Sequence, residues 1–526
     1  MWPRESNRSL RLLSFTDCSQ WPSTCLTSVN SSMEHPRNIL FGLILLAVCS
    51  ACLLADQTTW VGTILKSGNT YVFVTGGRVY NIDNQNDSEW PAHSGRNVQL
   101  NGEVHGDSIS VSKIEEPVSI EAVPENVLTG PDAHEVEASN GHLFGDWGGL
   151  RTSLVERGVK FDLHLISDNL WNIKSRQNER VASNSRARGT VDIDLGTLMN
   201  LQGWSFHMTA VWQGGGNLGS DLGLIGNPSS MVSMNAFRLD SWWFEKMWFN
   251  KRVAVRAGQF AAEDTYGDPN YGGSFVFEPM GGPIDNLFNT FESFDPPSTS
   301  AFEVHIVPVK HLFIKSMVAS VDRLPFTNNE TGLVPRFHGP PVSTSEMGYV
   351  SGTDASAVAP ADTVATRKGY SGIYQFGASY NPGKFPSPSS PMPRSGNYLL
   401  YWKASQAVWR ENPKRANGLD ATFAYDWSPA GINRNNKMLL AGLRYNEPLP
   451  LKIHNTISVG YVRNALSSQY LPTGMMMWHA ENGLEFNVLL NVLPMVILQP
   501  VLQYYSDVGG GTQTAVVFGF RTKIEF

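Results

Sequence analysis

Val516-Val517-Phe518-Gly519-Phe520-Arg521-Thr522-Lys523-Ile524-Glu525-Phe526 closes the sequence. Side chains of an extended chain point alternately to two sides, so Val516, Phe518, Phe520, Ile524 and Phe526 share one face and Gly519, Arg521, Lys523 and Glu525 share the other. One face suits an apolar surround and the other water or a polar interior. The same split recurs upstream: Leu419, Ala421, Phe423, Tyr425 and Trp427 oppose Asp420, Thr422 and Asp426, and Leu439, Ala441, Leu443 and Tyr445 oppose Gly442, Arg444 and Asn446. A soluble sandwich also alternates. Aromatics near strand ends and a repeated segment length of about 10 residues point instead to strands that cross a membrane.

Further strands are expected over 160–170, 190–198, 204–213, 252–260, 303–309, 313–321, 373–380 and 456–463. With the C-terminal ones they make about 16, an even number as single-chain bacterial barrels require. Two stretches rich in Gly, Pro, Ser and Thr, 328–370 and 381–396, lack periodicity and read as external loops. After Ala55 no stretch approaches the ~20 apolar residues that a spanning helix needs. The fold expected is therefore all-β: a transmembrane antiparallel barrel preceded by a smaller β unit.

That unit occupies 56–116. Short strands over 60–65, 70–75, 78–83, 97–104 and 107–114 are separated by Ser67-Gly68-Asn69, Gly76-Gly77, Ser94-Gly95 and Gly106-Asp107, a pattern that suggests an OB-like barrel. Residues 117–142 follow as an acidic linker punctuated by Pro117, Pro124 and Pro131 and free of Lys and Arg. The barrel would then run over 143–526. At the front, the apolar run Ile39–Leu54 behind Arg37 has the layout of a secretory signal headed by Met33, giving 33–55 as signal peptide and 1–32 as an upstream artefact or extension. Acylation of Cys52 is the competing reading of this region. Cys18, Cys25, Cys49 and Cys52 all precede position 55, so the chain beyond it offers no disulfide, zinc ribbon or thiol catalyst.

A net charge of −7 with no basic stripe argues against nucleic acid as partner. Enzyme signals are weak. Gly214-Gly215-Gly216-Asn217-Leu218-Gly219 spells a dinucleotide fingerprint, but no helical pattern follows and a glycine-rich hairpin loop is expected. There is no HExxH or GxSxG, and His479 near Ser468 and Asn482 reads as an interfacial strand residue. No catalytic residue, cofactor or metal site is expected.

Gly145-Asp146-Trp147-Gly148-Gly149-Leu150-Arg151, followed by Leu154, Glu156, Arg157 and Gly158, resembles the opening of the carbohydrate-selective porin family, the OprB type. The likeness continues through Leu201-Gln202-Gly203-Trp204-Ser205-Phe206, Arg256-Ala257-Gly258-Gln259 and Leu498-Gln499-Pro500-Val501-Leu502-Gln503-Tyr504, covering about 145–526. Residues 150–157 read physically as a short amphipathic helix that Gly158 stops; the resemblance implies that it sits near the periplasmic mouth. It further implies an outer-membrane porin passing small neutral solutes, carbohydrates foremost; the N-terminal unit and the 328–370 stretch depart from the family pattern, and the unit's compact strands and acidic linker predict a separate periplasmic domain. Outer-membrane lipids and a homotrimeric assembly belong to the same expectation. Phe526 ends an outward alternation and resembles the C-terminal signature that barrel assembly machinery reads. The alternative is a structural envelope protein with a plugged barrel and an N-terminal domain that grips peptidoglycan or another protein.

The constriction is expected among Arg256, Glu263, Asp264, Tyr266 and Asp268, with Trp171 and Arg186 as partners. Arg256 lies opposite Val253, Val255 and Ala257, so if those meet lipid it points into the lumen. Beyond it a polar and aromatic segment runs to about Pro297, long enough to fold inward and narrow a pore.

Overall fold

The computed structural model describes 59–67, 70–75, 78–83, Trp90, 97–105 and 108–115, and then 141–526 apart from 176–179, 233–234, 263–264, 267–273, 283–284, 291–296, 322–327, 338, 352–369, 389, 413–416, 452 and 471–479. The expected signal, most of the linker and His479 lie outside these residues. Two compact units emerge, Met1–Ser119 and Ile120–Phe526.

In the first unit β1 (Thr59–Ser67), β2 (Thr70–Thr75), β3 (Arg78–Ile82), β4 (Asn97–His105) and β5 (Ser108–Glu115) close in the order 1-2-3-5-4. The β3–β5 contact is parallel and the others are antiparallel, as in an OB-like Greek-key barrel. Ile64, Phe73, Ile82, Trp90, Leu100 and Ile109 form its core.

The second unit is a closed barrel of sixteen antiparallel strands. In chain order they are β6 (Val159–Lys174), β7 (Arg180–Asp194), β8 (Trp204–Gly215), β9 (Ala236–Trp248), β10 (Val253–Phe260), β11 (Thr299–Val309), β12 (Leu312–Ala319) and β13 (Val342–Ser351). Then come β14 (Gly372–Ser387), β15 (Ser390–Arg410), β16 (Gly418–Trp427), β17 (Asn435–Asn446), β18 (Asn455–Leu466), β19 (Ala480–Leu493), β20 (Val496–Ser506) and β21 (Thr514–Glu525). Each strand pairs with its sequence neighbours, and β21 closes on β6 with Arg521 opposite Asp168. Along the span that the sixteen strands share, closure leaves no strand edge, which is the condition for β-structure in hydrocarbon, where an unpaired backbone amide costs several kcal/mol. Among the described residues no helix is long and apolar enough to cross a membrane.

Burial follows the period of two. On β16 Asp420, Thr422, Ala424 and Asp426 are buried, while Tyr425 on the other face is exposed; on β21 Gly519, Arg521, Lys523 and Glu525 point inward. Phe376, Trp402, Phe486 and Phe518 stand outward and exposed. A short helix, Leu150–Glu156, precedes the barrel; Gly158, at φ +83°, ends it and donates its N–H to the Val155 carbonyl (2.9 Å).

Three expectations are corrected. The stretch 328–370 contains β13, which the hydropathy pattern hides because its outward positions include Ser343 and Ser345; Ser345 meets Ser316 of β12 at 2.8 Å. The stretch 381–396 extends the β14–β15 hairpin beyond the neighbouring strands. Its prolines are tolerated there because an unflanked ladder has free edges that need no N–H donor. Finally, Gly214 and Gly215 end β8, and a helix, Leu218–Leu222, does follow, capped by the Asn217 side chain accepting from Ser220 N (2.8 Å).

Candidate functional site: the barrel lumen

Two connections fold into the barrel. The first joins β8 to β9. Its backbone N–H groups at Ile225 and Gly226 donate to the Glu481 carboxylate (3.0 and 3.2 Å), and Gln503 donates to the Pro228 carbonyl (2.8 Å). Ser229 donates to Asp168 (2.6 Å), and Ser230 accepts from Arg521 (2.8 Å). The second joins β10 to β11. Its Val276 and Phe277 N–H groups donate to Glu485 (2.9 and 2.6 Å), and the Ser274 carbonyl accepts from Asn487 (2.8 Å) and Gln499 (3.0 Å). Farther along, Asn286 donates to Asp426 (2.6 Å) and the Thr290 carbonyl accepts from Asn381 (2.8 Å). The connections also hold each other: Ser230 N donates to Val276 O (2.9 Å), and Glu278 N donates to Asn227 O (3.0 Å). They form one platform lying along β14–β21 and β6.

The wall from β9 to β13 is built differently. Arg256 projects inward as expected. It lies over the rings of Trp243 (4.4 Å) and Phe260 (5.3 Å) and faces Glu245 (3.5 Å) and Glu303 (3.9 Å). Tyr266 is buried with Trp243, Phe260 and Met317 beneath the Lys315 ammonium, 4.7 Å from its ring. Burial pushes its phenol well above the ordinary range and the Glu303 carboxylate adds to the shift, so Tyr266 stays a neutral hydroxyl. Thr265 donates to Glu303 (3.0 Å) and Lys315 donates to the Thr265 carbonyl. Glu346 gathers Lys315 (2.9 Å), Lys403 (3.2 Å), the Tyr401 hydroxyl (2.8 Å) and Gln375 (2.8 Å).

Arg186 also points inward, its Nε donating to Gln213 (2.7 Å), with Arg188 on the same face of β7. Trp171 does not. On β6 the inward positions are His164, Ile166, Asp168, Leu170 and Asn172, which leaves Trp171 outward against Phe518 (6.4 Å) and Phe520 (5.6 Å). Glu263, Asp264 and Asp268 lie outside the described residues. Sequence reasoning missed Glu245, Glu303, Lys315, Glu346 and Lys403. Their inward parity is visible strand by strand, but their convergence needs the register between strands.

His142, Asp162 and Glu525 bring ligand-type atoms within 4.8 Å of one another. Arg151 donates to His142 Nε2 (3.0 Å) and Lys523 pairs with Glu525 (2.6 Å), so protein cations already meet this cluster and it is not assigned as a metal centre.

A closed sixteen-strand barrel accords with the porin fold that the family resemblance implies, and the second connection folds inward as its length suggests. The profile of the carbohydrate-selective porin, OprB family, matches residues 179–526. The chain belongs to that family. The Gly145–Arg151 motif lies before the matched residues. Porin B of Pseudomonas aeruginosa is 28% identical over 155 residues, which are 26% of this chain and 33% of that protein, so the match spans a third of this relative's length. The high-pH structure of Pseudomonas putida OprB superposes with a TM-score of 0.65 over 74% of this chain and 99% of that one, at 17% identity, and so shows the same fold.

Proposed function

We propose that the chain is an outer-membrane channel, rather than an enzyme, through which small neutral solutes, carbohydrates foremost, diffuse passively. The observation that carries this reading is the closed barrel whose outward face is apolar and whose lumen sets an anchored platform opposite a wall of guanidinium, ammonium, carboxylate and aromatic groups. The groups of this wall are almost fully buried, so they shape and brace the passage. A site that conducts must bind shallowly, no tighter than about the millimolar range. Arg256, Tyr266 and Arg186, together with Glu263, Asp264 and Asp268 of the same connection, are the groups proposed to line or support the narrow part.

The N-terminal barrel is proposed as a separable periplasmic domain. Membrane lipid covers the aromatic outer face, and a homotrimer is the assembly proposed. Phe526, whose ring lies 5.6 Å from that of Phe144, is proposed as the handle read by assembly machinery. Reconstitution tests the central claim. The protein should form discrete channels in a planar bilayer and swell liposomes in neutral sugars faster than in charged solutes of equal size. A barrel that inserts without conducting would leave the plugged envelope protein as the reading.

A further inference from the structure

Besides its hydrogen-bonded anchors, the platform rests on wall positions that carry no side chain. Gly442 and Gly460 are cross-strand partners on β17 and β18, and Gly483 is the inward residue on the adjoining β19. Phe275, Phe277 and Met280 of the second connection sit on them and are buried. A Cβ on Gly460 would overlap Met280 Sδ and stand 2.6 Å from Met280 Cε and 2.8 Å from the Phe275 ring, and one on Gly442 would stand 2.9 Å from Met280 Cε and 3.2 Å from the Phe275 ring. On Gly483 it would stand 2.6 Å from two ring atoms of Phe277. Phe277 cannot swing aside freely, because its ring packs edge-on against Tyr505 at 5.3 Å. Glycine in the interior of a strand is unfavourable in itself and marks close approach by another part of the molecule.

We propose that Gly442, Gly460 and Gly483 are specificity-determining residues: they form a seat that fixes how far residues 274–281 stand out from the wall and thereby set the largest solute that passes. The inference rests on the channel reading above. The glycines act by absence: each missing side chain lets the platform lie lower, and the Glu485 carboxylate then captures the Val276 and Phe277 amides at that depth. A methyl group beneath Phe277 lifts the segment toward the lumen, lengthens those two hydrogen bonds and narrows the passage. The β-ladder itself is untouched, because none of the three glycines has a backbone conformation closed to alanine.

The test uses the full chain as wild type, Gly460→Ala, Gly483→Ala and the double variant Gly483→Ala/Phe277→Ala. Hydrogen exchange across 274–281 reads the seat directly, whether or not the barrel conducts. Single-channel conductance and liposome swelling over mono-, di- and trisaccharides read its consequence. The single variants should assemble, exchange faster in that segment, conduct less and lose the larger sugars first. In the double variant, removal of the ring should return conductance toward wild type, which a general folding defect would not do. Unchanged exchange and size limit in both single variants, or a double variant no closer to wild type than Gly483→Ala, would overturn the seat. A wild-type barrel that forms no channel overturns the porin reading and the size limit together, and the exchange data still report separately on the seat.

Discussion

Both halves of the lumen wall hold buried ion pairs, but they differ in how many polar groups they give to the platform. Along β14–β21 and β6, carboxylates and amides are spent on peptide groups: Glu481 and Glu485 accept backbone N–H donors, while Gln499, Gln503 and Asn487 donate to backbone carbonyls. Along β9–β13 the charged groups are matched mainly to one another, Arg256 with Glu245 and Glu303, and Lys315 with Glu346. A buried peptide amide left without a partner is costly, so the first half is committed to holding the platform. The charged groups of the second half are as deeply buried, and they brace the wall and the start of the second connection.

The largest expected effect breaks the committed half at its seam. Arg521 makes two hydrogen bonds to Asp168 (2.7 and 2.8 Å), both side chains fully buried, and the pair joins the first barrel strand to the last while touching Ser229 and Ser230 of the platform. Asp168→Ala should cost ~3–5 kcal/mol by leaving a guanidinium buried without its carboxylate. Denaturant unfolding in detergent checks this, and an unshifted midpoint would show that the seam does not depend on the pair.

A smaller loss is expected for Glu485→Gln. The amide keeps one acceptor but turns an N–H₂ toward donors, at a cost of roughly 1–3 kcal/mol. The barrel should persist while the platform loosens, seen as noisier single-channel traces; a wild-type noise spectrum would detach Glu485 from platform anchoring.

Arg256→Ala addresses the other half. It removes the cation between Glu245 and Glu303, so permeation should shift toward cations with the barrel still assembled. Reversal potentials in a salt gradient measure the shift, and an unchanged value would move the constriction off this cluster. The smallest effect is expected for Trp171→Ala. Because that ring faces outward, conductance and selectivity should match wild type; an altered selectivity would contradict the inward–outward assignment of β6.

Much of the fold is legible in local pattern because the strand repeat is local. The alternation in 516–526 and 419–427 places each side chain inside or outside without reference to any partner, and the same alternation turns Arg256 inward. The same parity along β6 gives Asp168, Leu170 and Asn172 the inward positions and turns Trp171 outward, against the expectation that it lines the pore. β13 escaped because hydroxyls replace apolar groups at some of its outward positions.

The sequence by itself determined the class, the strand parity and the family. Each depends on residues within one strand or one motif, where geometry repeats every second residue. Only the tertiary structure decided which wall receives the platform, that Asp168 meets Arg521 across 353 residues of chain, and that Gly442, Gly460 and Gly483 lie beneath Phe275, Phe277 and Met280. These follow from barrel closure and inter-strand register, which are non-local. A glycine carries no side chain by which its neighbour could be foretold.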